Sequence, residues 1–197
     1  MALLLKYHTH LLEAGVDEAG RGCLAGPVVA AAVILPDDFY CAELNDSKQL
    51  THAQREKIRP IILESAIAYH VALIDEKRID AVNILQATFD AMHQAVNGLS
   101  VAPEFLCIDG NRFRPHAIPH LSIVKGDGKY MHIAAASVLA KTFRDDFMEK
   151  IDTEFPQYDW KNNKGYPTVS HRNAIREHGI TPYHRKSFQL LPPLTLF

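Results

Sequence analysis

Short apolar runs alternate along the chain with longer stretches in which apolar residues recur every three or four positions. The apolar runs have the length of β-strands and lie around 14–20, 28–35, 68–74, 104–109 and 120–126. Gly26 and Pro27 mark a turn between the first two runs, so the chain is expected to begin with a hairpin. The pattern therefore predicts five strands.

The longer stretches have the spacing of amphipathic helices. They lie at about 52–66, between 82 and 98, between 139 and 156, and at about 168–178. Thr51 and Gln54 form a capping-box pattern before the first of them, whereas Pro60 predicts a kink or a break within it. Gly98 and Pro156 are the expected ends of the second and third helices. Because strands and helices alternate, the chain is predicted to fold as α/β with a mixed sheet.

The composition fits a single domain that spans residues 1–197. Of these residues 47% are hydrophobic, which is enough to bury a core. The three cysteines, Cys23, Cys41 and Cys107, form no CxxC pair and have no zinc-finger spacing with histidine. The HTH segment at 8–10 has no third ligand nearby and is expected to be exposed. Neither disulfides nor a structural zinc site is expected.

The sequence carries no signal for a membrane. The apolar run at 26–35 is far shorter than the ~20 residues of a membrane-spanning helix. The first 15 residues lack the small-residue cleavage site of a signal peptide. We expect a cytoplasmic protein without a membrane partner, and a monomer, since nothing in the sequence demands a dimer.

Charge is unevenly distributed along the chain. Residues 1–154 carry 15 Lys and Arg against 21 Asp and Glu, whereas residues 155–197 carry 6 against 2. A basic region is suited to a polyanion such as nucleic acid, because Lys and Arg bind phosphates by displacing counterions. Ordinary surface charge explains the same distribution equally well at this point.

Four acids lie at or just beyond the ends of predicted strands. Asp17 and Glu18 are in the first strand, Asp109 closes the fourth, and Asp127 follows the fifth. Such carboxylates could hold two Mg²⁺ or Mn²⁺ ions roughly 4 Å apart, as in phosphoryl transfer. The alternative for Asp109 and Asp127 is a simple Asp-Gly turn. Since neighbouring strand residues point to opposite faces, Asp17 and Glu18 can share a site only if the strand bulges or ends there.

Six motifs in register resemble type 2 ribonuclease H over roughly residues 13–188. They are GVDEAGRGCLAGPVVAAAVIL, LNDSKQL, CIDGN, VKGDGKYMHIAAASVLAKTFRD, KGYPTVSH and HRKSF. The resemblance implies an RNase H-like fold, with a mixed five-stranded sheet flanked by helices and a small helical C-terminal region from about 155 that helps hold a duplex. It also implies an endonuclease that acts on RNA/DNA hybrids and on ribonucleotides embedded in duplex DNA.

The resemblance also implies roles for individual residues. Asp17, Glu18, Asp109 and Asp127 match the family's catalytic carboxylates, which bind two Mg²⁺ or Mn²⁺ ions. The residues that match its substrate-binding positions are Gly20, Arg21, Gly22, Asn45, Ser47, Lys48 and Tyr166. The glycines suit close approach of the main chain to a ribose 2′-hydroxyl. Gln49 departs from the lysine that is usual in the family, which removes one expected phosphate contact. A core position is the alternative for Tyr166.

Other basic residues have less specific signals. Lys141 could contact a phosphate or lie on a solvated helix face. Arg185 and Lys186 are expected to contact backbone phosphates, and His171 could join a hydrogen-bond network. Arg144 and Asp145 receive no role.

Two alternative functions differ from type 2 ribonuclease H. Type 3 ribonuclease H has another residue in place of Arg21 and usually an extra N-terminal domain, for which the 12 or so leading residues leave no room. A catalytically inactive nucleic-acid-binding module would gain nothing from four acids beside phosphate unless metal is bound. Both considerations favour a type 2 enzyme.

Overall fold

The computed structural model describes residues 3–44 and 50–192. Its strands are β1 (Glu13–Ala19), β2 (Val28–Ile34), β3 (Ala68–Ile74), β4 (Phe105–Asp109) and β5 (His120–Ile123). They form one sheet in the order β3-β2-β1-β4-β5. The β1–β2 and β2–β3 pairs are antiparallel, and the β1–β4 and β4–β5 pairs are parallel. The predicted mixed five-stranded sheet and its opening hairpin are confirmed.

The helices of the described residues flank this sheet. They are α1 (His52–Ser65), α2 (Glu76–Asn97), α3 (Met131–Asp152), α4 (Trp160–Asn163) and α5 (Val169–His178). At the start of α1, Thr51 Oγ1 accepts from the N–H of Gln54 at 3.3 Å, and Gln54 Oε1 accepts from the N–H of Thr51 at 2.8 Å. The predicted capping box is therefore present. The helix does not end at Pro60, because Pro60 is exposed and water can solvate the carbonyl that its missing N–H leaves free.

Three boundaries differ from the prediction for identifiable reasons. The α2 helix consists of two segments joined at Asn83, whose backbone is non-helical (φ 70°, ψ 164°) and whose Oδ1 accepts from the N–H groups of Leu85 and Gln86. The predicted helix is the second segment, and the first is capped by Asp75, whose side chain accepts from the N–H of Arg78 at 2.8 Å. The sequence pattern placed the start of α3 too late. The helix begins at Met131, but residues 131–140 are buried on every side and therefore show no apolar periodicity. The fifth strand stops at Ile123 because Lys125 is left-handed and residues 126–128 form a 3₁₀ turn. None of the helices in the described ranges is both long and apolar enough to cross a membrane.

Helices cover both faces of the sheet. Ala14 and Val16 of β1 pack in one core cluster with the apolar side of α2. On the other face α3 lies directly on β1, since a Cβ at Gly15 would come within 2.2 Å of the His132 backbone. Strand alternation therefore turns residues 13, 15 and 17 of β1 toward α3. A further cluster, which includes Trp160 and Ile175, packs α4 and α5 against the end of α3.

Candidate active site

Three acids meet where β1, β4 and the turn after β5 come together. One carboxylate oxygen from each of Asp17, Asp109 and Asp127 lies within 4.8 Å of the others. Asp17 and Asp109 are brought together because β1 and β4 are parallel neighbours, so that their carboxyl ends lie side by side. Asp127 reaches the same place from the 3₁₀ turn at Gly126–Gly128. Asp109 and Asp127 therefore belong to a cluster of acids and not to isolated Asp-Gly turns.

Main-chain hydrogen bonds fix the orientation of these carboxylates. Asp17 Oδ1 accepts from the N–H of Glu18 at 2.7 Å. Asp109 Oδ1 accepts from the N–H of Gly126 at 2.7 Å, which ties the end of β4 to the turn that carries Asp127. A Cβ at position 126 would lie 2.7 Å from Cδ1 of Ile133, which would have to shift, so glycine lets the turn pack this closely. The acids thus sit on rigid elements rather than on free loops.

Glu18 lies beside this cluster rather than within it. The strand neither bulges nor ends at Asp17, because pairing with β2 continues regularly through Ala19, so that expectation was wrong. The Glu18 side chain is instead 3.1 Å from Nη1 of Arg21. Its charge still raises the pKa of Asp17 and it faces the same cleft, so it remains next to the site.

The cluster is electrostatically unfavourable without a cation. Burial, followed by the charges of Glu18 and Asp109, raises the pKa of Asp17 well above its usual range. Asp17 is 2% exposed, and its Oδ2 has no hydrogen-bond partner among the described residues. Buried carboxylate oxygens that converge in this way fit a hard divalent ion such as Mg²⁺ or Mn²⁺, whose charge would offset the repulsion.

A cleft of about 430 Å³ opens above the acids. It is lined by Asp17, Glu18, Ala19, Gly20, Arg21, Gly22, Arg55, Asp109, Ser137, Lys141 and Tyr166. Five of the ten residues predicted to bind substrate therefore share one cavity with Asp17, Glu18 and Asp109, whereas Asp127 is not among the lining residues. Arg55 and Ser137 are additional: Arg55 lies outside the six motifs, and Ser137 lies within one of them but received no role.

Comparison with known proteins identifies this arrangement. A family model described as ribonuclease HII matches residues 14–191. The chain belongs to the ribonuclease HII family. Ribonuclease HII of Parabacteroides distasonis is 61% identical over 192 residues, which cover 96% of each chain. The predicted family is confirmed, and the chain is an RNase H endoribonuclease.

Solved structures support the same fold. Ribonuclease H2 from Pyrococcus horikoshii OT3 superposes with a TM-score of 0.75 at 27% identity, covering 90% of this chain and 94% of that one. Bst-RNase HIII in complex with Mn²⁺ superposes with a TM-score of 0.71 at 20% identity, covering 92% of this chain and 70% of that one. The RNase H-like fold expected for the ribonuclease HII family is confirmed.

The glycine loop at 20–22 has two different surroundings. A Cβ at Gly20, where φ is +92°, would lie 2.0 Å from Nε of Arg144, so packing alone requires glycine there. Gly22 is exposed, and a Cβ there would meet nothing within 4 Å. Packing within the described residues therefore does not explain a glycine at position 22.

Two buried arginines hold this loop from behind. The Arg144 guanidinium donates to the carbonyls of Pro27, Lys164 and Ala25 at 2.8–3.0 Å. Arg185 is fully buried and donates to four carbonyls at 2.8–3.1 Å, those of Gly20, Arg21, Gly26 and Pro27. The expectation that Arg185 contacts phosphate was wrong, because its guanidinium is inside the protein and bonded to the main chain.

Lys186, the next residue, is exposed but lies outside the lining of the cleft. Its main-chain N–H donates to Asp80 Oδ2 at 3.0 Å, and its side chain borders a second pocket with Glu76 and Asp80. Acids thus surround Lys186, and its phosphate contact stays a prediction.

Lys141 and Tyr166 form one wall of the cleft. Tyr166 is 41% exposed, so it is not a core tyrosine. The Lys141 ammonium lies 5.8 Å from the centre of its ring and 2.6 Å from Asp145 Oδ1. Burial lowers the pKa of Lys141, and its side chain is only 19% exposed, which excludes the solvated helix face. A phosphate contact from Lys141 therefore stays a prediction.

A buried hydrogen-bond network supports Tyr166 from below. His171 Nδ1 lies 2.9 Å from the carbonyl of Tyr166, and Trp160 Nε1 donates to His171 Nε2 at 3.0 Å. His184 Nε2 is 3.3 Å from the same His171 nitrogen. His171 is thus the network member that the sequence suggested. Asn45, Ser47, Lys48 and Gln49 of the NDSKQL motif lie outside the described residues.

Proposed function

We propose that the chain hydrolyses the RNA strand of RNA/DNA hybrids and cuts duplex DNA on the 5′ side of a single embedded ribonucleotide. The products would carry a 5′-phosphate and a 3′-hydroxyl. The observation that carries this proposal is one cleft in which Asp17 and Asp109 of the carboxylate cluster face the exposed main chain at Gly22 and the ring of Tyr166. Membership of the ribonuclease HII family supports it.

Asp17, Asp109 and Asp127 would hold two Mg²⁺ or Mn²⁺ ions, with Glu18 as a further ligand beside them. Such ions, when bound, activate a water for in-line attack and stabilise the leaving 3′ oxygen. The Oδ2 of Asp17, which has no hydrogen-bond partner in the part of the chain that the structure describes, and the mutual repulsion of the acids support this assignment. A structural neighbour, Bst-RNase HIII, was solved in complex with Mn²⁺.

The loop at 20–22 would recognise the ribonucleotide through its main chain. Without a Cβ at Gly22 the backbone polar groups can approach a ribose closely and hydrogen-bond its 2′-hydroxyl, the group that separates RNA from DNA. Arg185 and Arg144 would keep this loop in a single conformation, because together they bind the carbonyls along residues 20–27.

Tyr166 and Lys141 would position the same nucleotide from the opposite wall. The half-exposed Tyr166 ring offers a flat surface for the ribose. The Lys141 ammonium is held by Asp145 and could bind a flanking phosphate. Neither group needs to take part in bond breaking, so both would act by positioning.

The decisive experiment uses a DNA duplex with one ribonucleotide, in Mg²⁺ and in EDTA. We expect one cut, on the 5′ side of the ribonucleotide and only in Mg²⁺, while an all-DNA duplex of the same sequence stays intact. A site built for a hydroxyl leaves its own polar groups unpaired when that hydroxyl is missing, which can give ~10⁴-fold discrimination. A cut in all-DNA duplex at a similar rate, or cutting of long hybrids but never of the single site, would contradict the proposal.

Tyr166→Ala tests the positioning wall. We expect a lower cleavage rate at the single ribonucleotide with little change in duplex affinity, because phosphate contacts elsewhere remain. Single-turnover kinetics and a binding titration in Ca²⁺ separate the two effects. Tyr40→Ala is the matched control, since Tyr40 is 75% exposed and does not line the cleft. If Tyr166→Ala cleaves the single ribonucleotide as fast as the wild type, the ring does not position the substrate.

A further inference from the structure

A second group of metal-ligating side chains lies outside the cleft, at the amino-terminal end of β1. Glu13 of β1, Cys107 of β4 and His132 in the first turn of α3 each offer one ligand atom, and the three atoms lie within 4.8 Å of one another. All three residues are buried, with exposed fractions of 3%, 0% and 1%. They meet because β1 and β4 pair in parallel and Glu13 faces α3, as Gly15 and Asp17 do.

The spacing of these atoms fits tetrahedral coordination. Glu13 Oε2 is 3.4 Å from His132 Nε2 and 3.8 Å from Cys107 Sγ. A zinc ion with Zn–N and Zn–O bonds of ~2.0 Å and a Zn–S bond of ~2.3 Å holds neighbouring ligand atoms about 3.3–3.6 Å apart. The two Glu13 separations are within a few tenths of an ångström of this range, and the third, between Cys107 Sγ and the His132 nitrogen, is below 4.8 Å.

His132 is the observation that points to a ligand. Its Nδ1 has no hydrogen-bond partner among the described residues, and its Nε2 has only the 3.4 Å contact with Glu13 Oε2, which does not have hydrogen-bond geometry, although the side chain is fully buried. Buried polar groups are nearly always satisfied, and one that is not carries a cost in free energy. A cation bound by His132 Nε2, Glu13 and Cys107 would give this nitrogen a partner. No carbonyl or hydroxyl of the described residues does so.

The donor set of the cluster is also suited to a divalent ion, because a carboxylate, a thiol and an imidazole are the groups that bind zinc in proteins. The Glu13 carboxylate accepts from the N–H groups of Tyr7 and His8 at 2.7 Å, which stabilise its charged form. Binding a dication releases the thiol proton of Cys107, and the carboxylate and thiolate together then neutralise the ion.

The amino-terminal segment closes the cluster from outside. The N–H groups of Tyr7 and His8 each donate to the Glu13 carboxylate at 2.7 Å, and His8 Nδ1 is 2.6 Å from Glu13 Oε1. His8 is therefore only partly exposed, contrary to expectation, and stands next to the three buried ligands. A surface pocket of about 370 Å³ lies beside the cluster and is lined in part by Glu13 and His10.

We propose that Glu13, Cys107 and His132 bind a zinc-class divalent ion, and that His8, which contacts the other carboxylate oxygen of Glu13, turns toward the ion as its fourth ligand. The ion would fasten the amino-terminal segment to the sheet. The sequence could not indicate this site, because Glu13 and Cys107 are 94 positions apart and only strand pairing brings them together. This site is chemically distinct from the all-carboxylate cluster in the cleft, since it contains a thiolate and imidazoles.

Co²⁺ is the probe, because only a thiolate ligand gives an intense near-ultraviolet sulfur-to-cobalt charge-transfer band. We expect the purified, reduced full-length chain to show this band, saturating at one ion per chain, and Zn²⁺ to displace it. Cys107→Ser should abolish the band. Cys41→Ser, which removes another buried thiol outside the cluster, should leave it unchanged.

His132→Asn provides a second test that leaves the thiol in place. We expect it to weaken Co²⁺ binding by more than ~10-fold, as loss of a metal-site residue typically does. The thermal unfolding of the ion-free variants, compared with that of the ion-free wild type, would reveal a folding defect. The absence of the band in the wild type, its persistence in Cys107→Ser, or unchanged Co²⁺ affinity in His132→Asn would each overturn the proposal. The carboxylate site contains no thiolate and gives no such band, so the outcome of this test is independent of nuclease activity.

Discussion

Asp17→Asn is expected to abolish cleavage and, at the same time, to raise the thermal stability of the metal-free protein. The substitution removes a carboxylate that is proposed to bind metal, and losing one preorganised electrostatic group costs ~10²–10³-fold in rate or more. It also removes a buried charge that lies beside Glu18 and Asp109 and whose pKa is raised for that reason. Asn keeps the Oδ1 acceptor for the N–H of Glu18, so the local structure should persist.

The measurements are kcat/KM on the single-ribonucleotide duplex and the unfolding temperature in EDTA. Asp38→Asn is the control, because it makes the same change of charge at an exposed position outside the cleft. It should change neither quantity appreciably. Asp109→Asn should resemble Asp17→Asn in activity, since its Oδ1 can still accept from the N–H of Gly126. Activity within a few-fold of wild type in either variant would exclude the metal assignment.

Opposite effects on activity and stability are typical of functional sites. Like charges packed into a buried position destabilise the fold and persist only where they serve a function. An apolar residue could occupy position 17 of β1, as Val16 occupies its position on the opposite face of the strand. The repulsion between Asp17 and the neighbouring acids, which a bound cation would offset, is thus the structural feature that supports the proposed metal chemistry.

How far the sequence predicts this site depends on whether a residue acts locally or through the tertiary fold. Thr51 and Gln54 form their capping box within one turn, so a local pattern was sufficient. Asp109 and Asp127 were recognised because the ends of parallel strands converge by rule, and the structure brings them together with Asp17. Glu18 required a detail of strand geometry that the pattern does not contain, and the expected bulge is absent.

Buried charge is the feature that the sequence could not predict. The basic character of residues 155–197 suggested a surface for phosphates, yet Arg185 in that region is fully buried. Arg144 received no role, although it packs against Gly20 and binds three carbonyls. Net charge reports how many cations a segment carries but not which of them face solvent. Both arginines donate to carbonyls of residues 20–27, and these contacts can be identified only from the position of that segment in the fold.

Arg185→Met is expected to lower the free energy of unfolding by ~3–5 kcal/mol, the range for breaking a buried, hydrogen-bonded charged group. The change leaves four main-chain carbonyls without their donors, those of Gly20, Arg21, Gly26 and Pro27. Burial and the nearby Arg144 charge lower the pKa of Arg185 to about 10, so it is still a cation at neutral pH. The loss of stability should therefore appear at any pH near neutrality, measured by urea unfolding.

Lys186→Met is the matched control, because it removes the same charge from the neighbouring, exposed position. It should leave stability nearly unchanged. Binding of an RNA/DNA hybrid at several salt concentrations then separates structure from phosphate contact, since each lost phosphate contact reduces the salt slope by about 1. For Arg185→Met, measured where the variant is folded, we expect the wild-type slope. A stable Arg185→Met with a reduced slope would instead mean that the guanidinium leaves the interior to bind the duplex, and that the glycine loop is held by Arg144 without it.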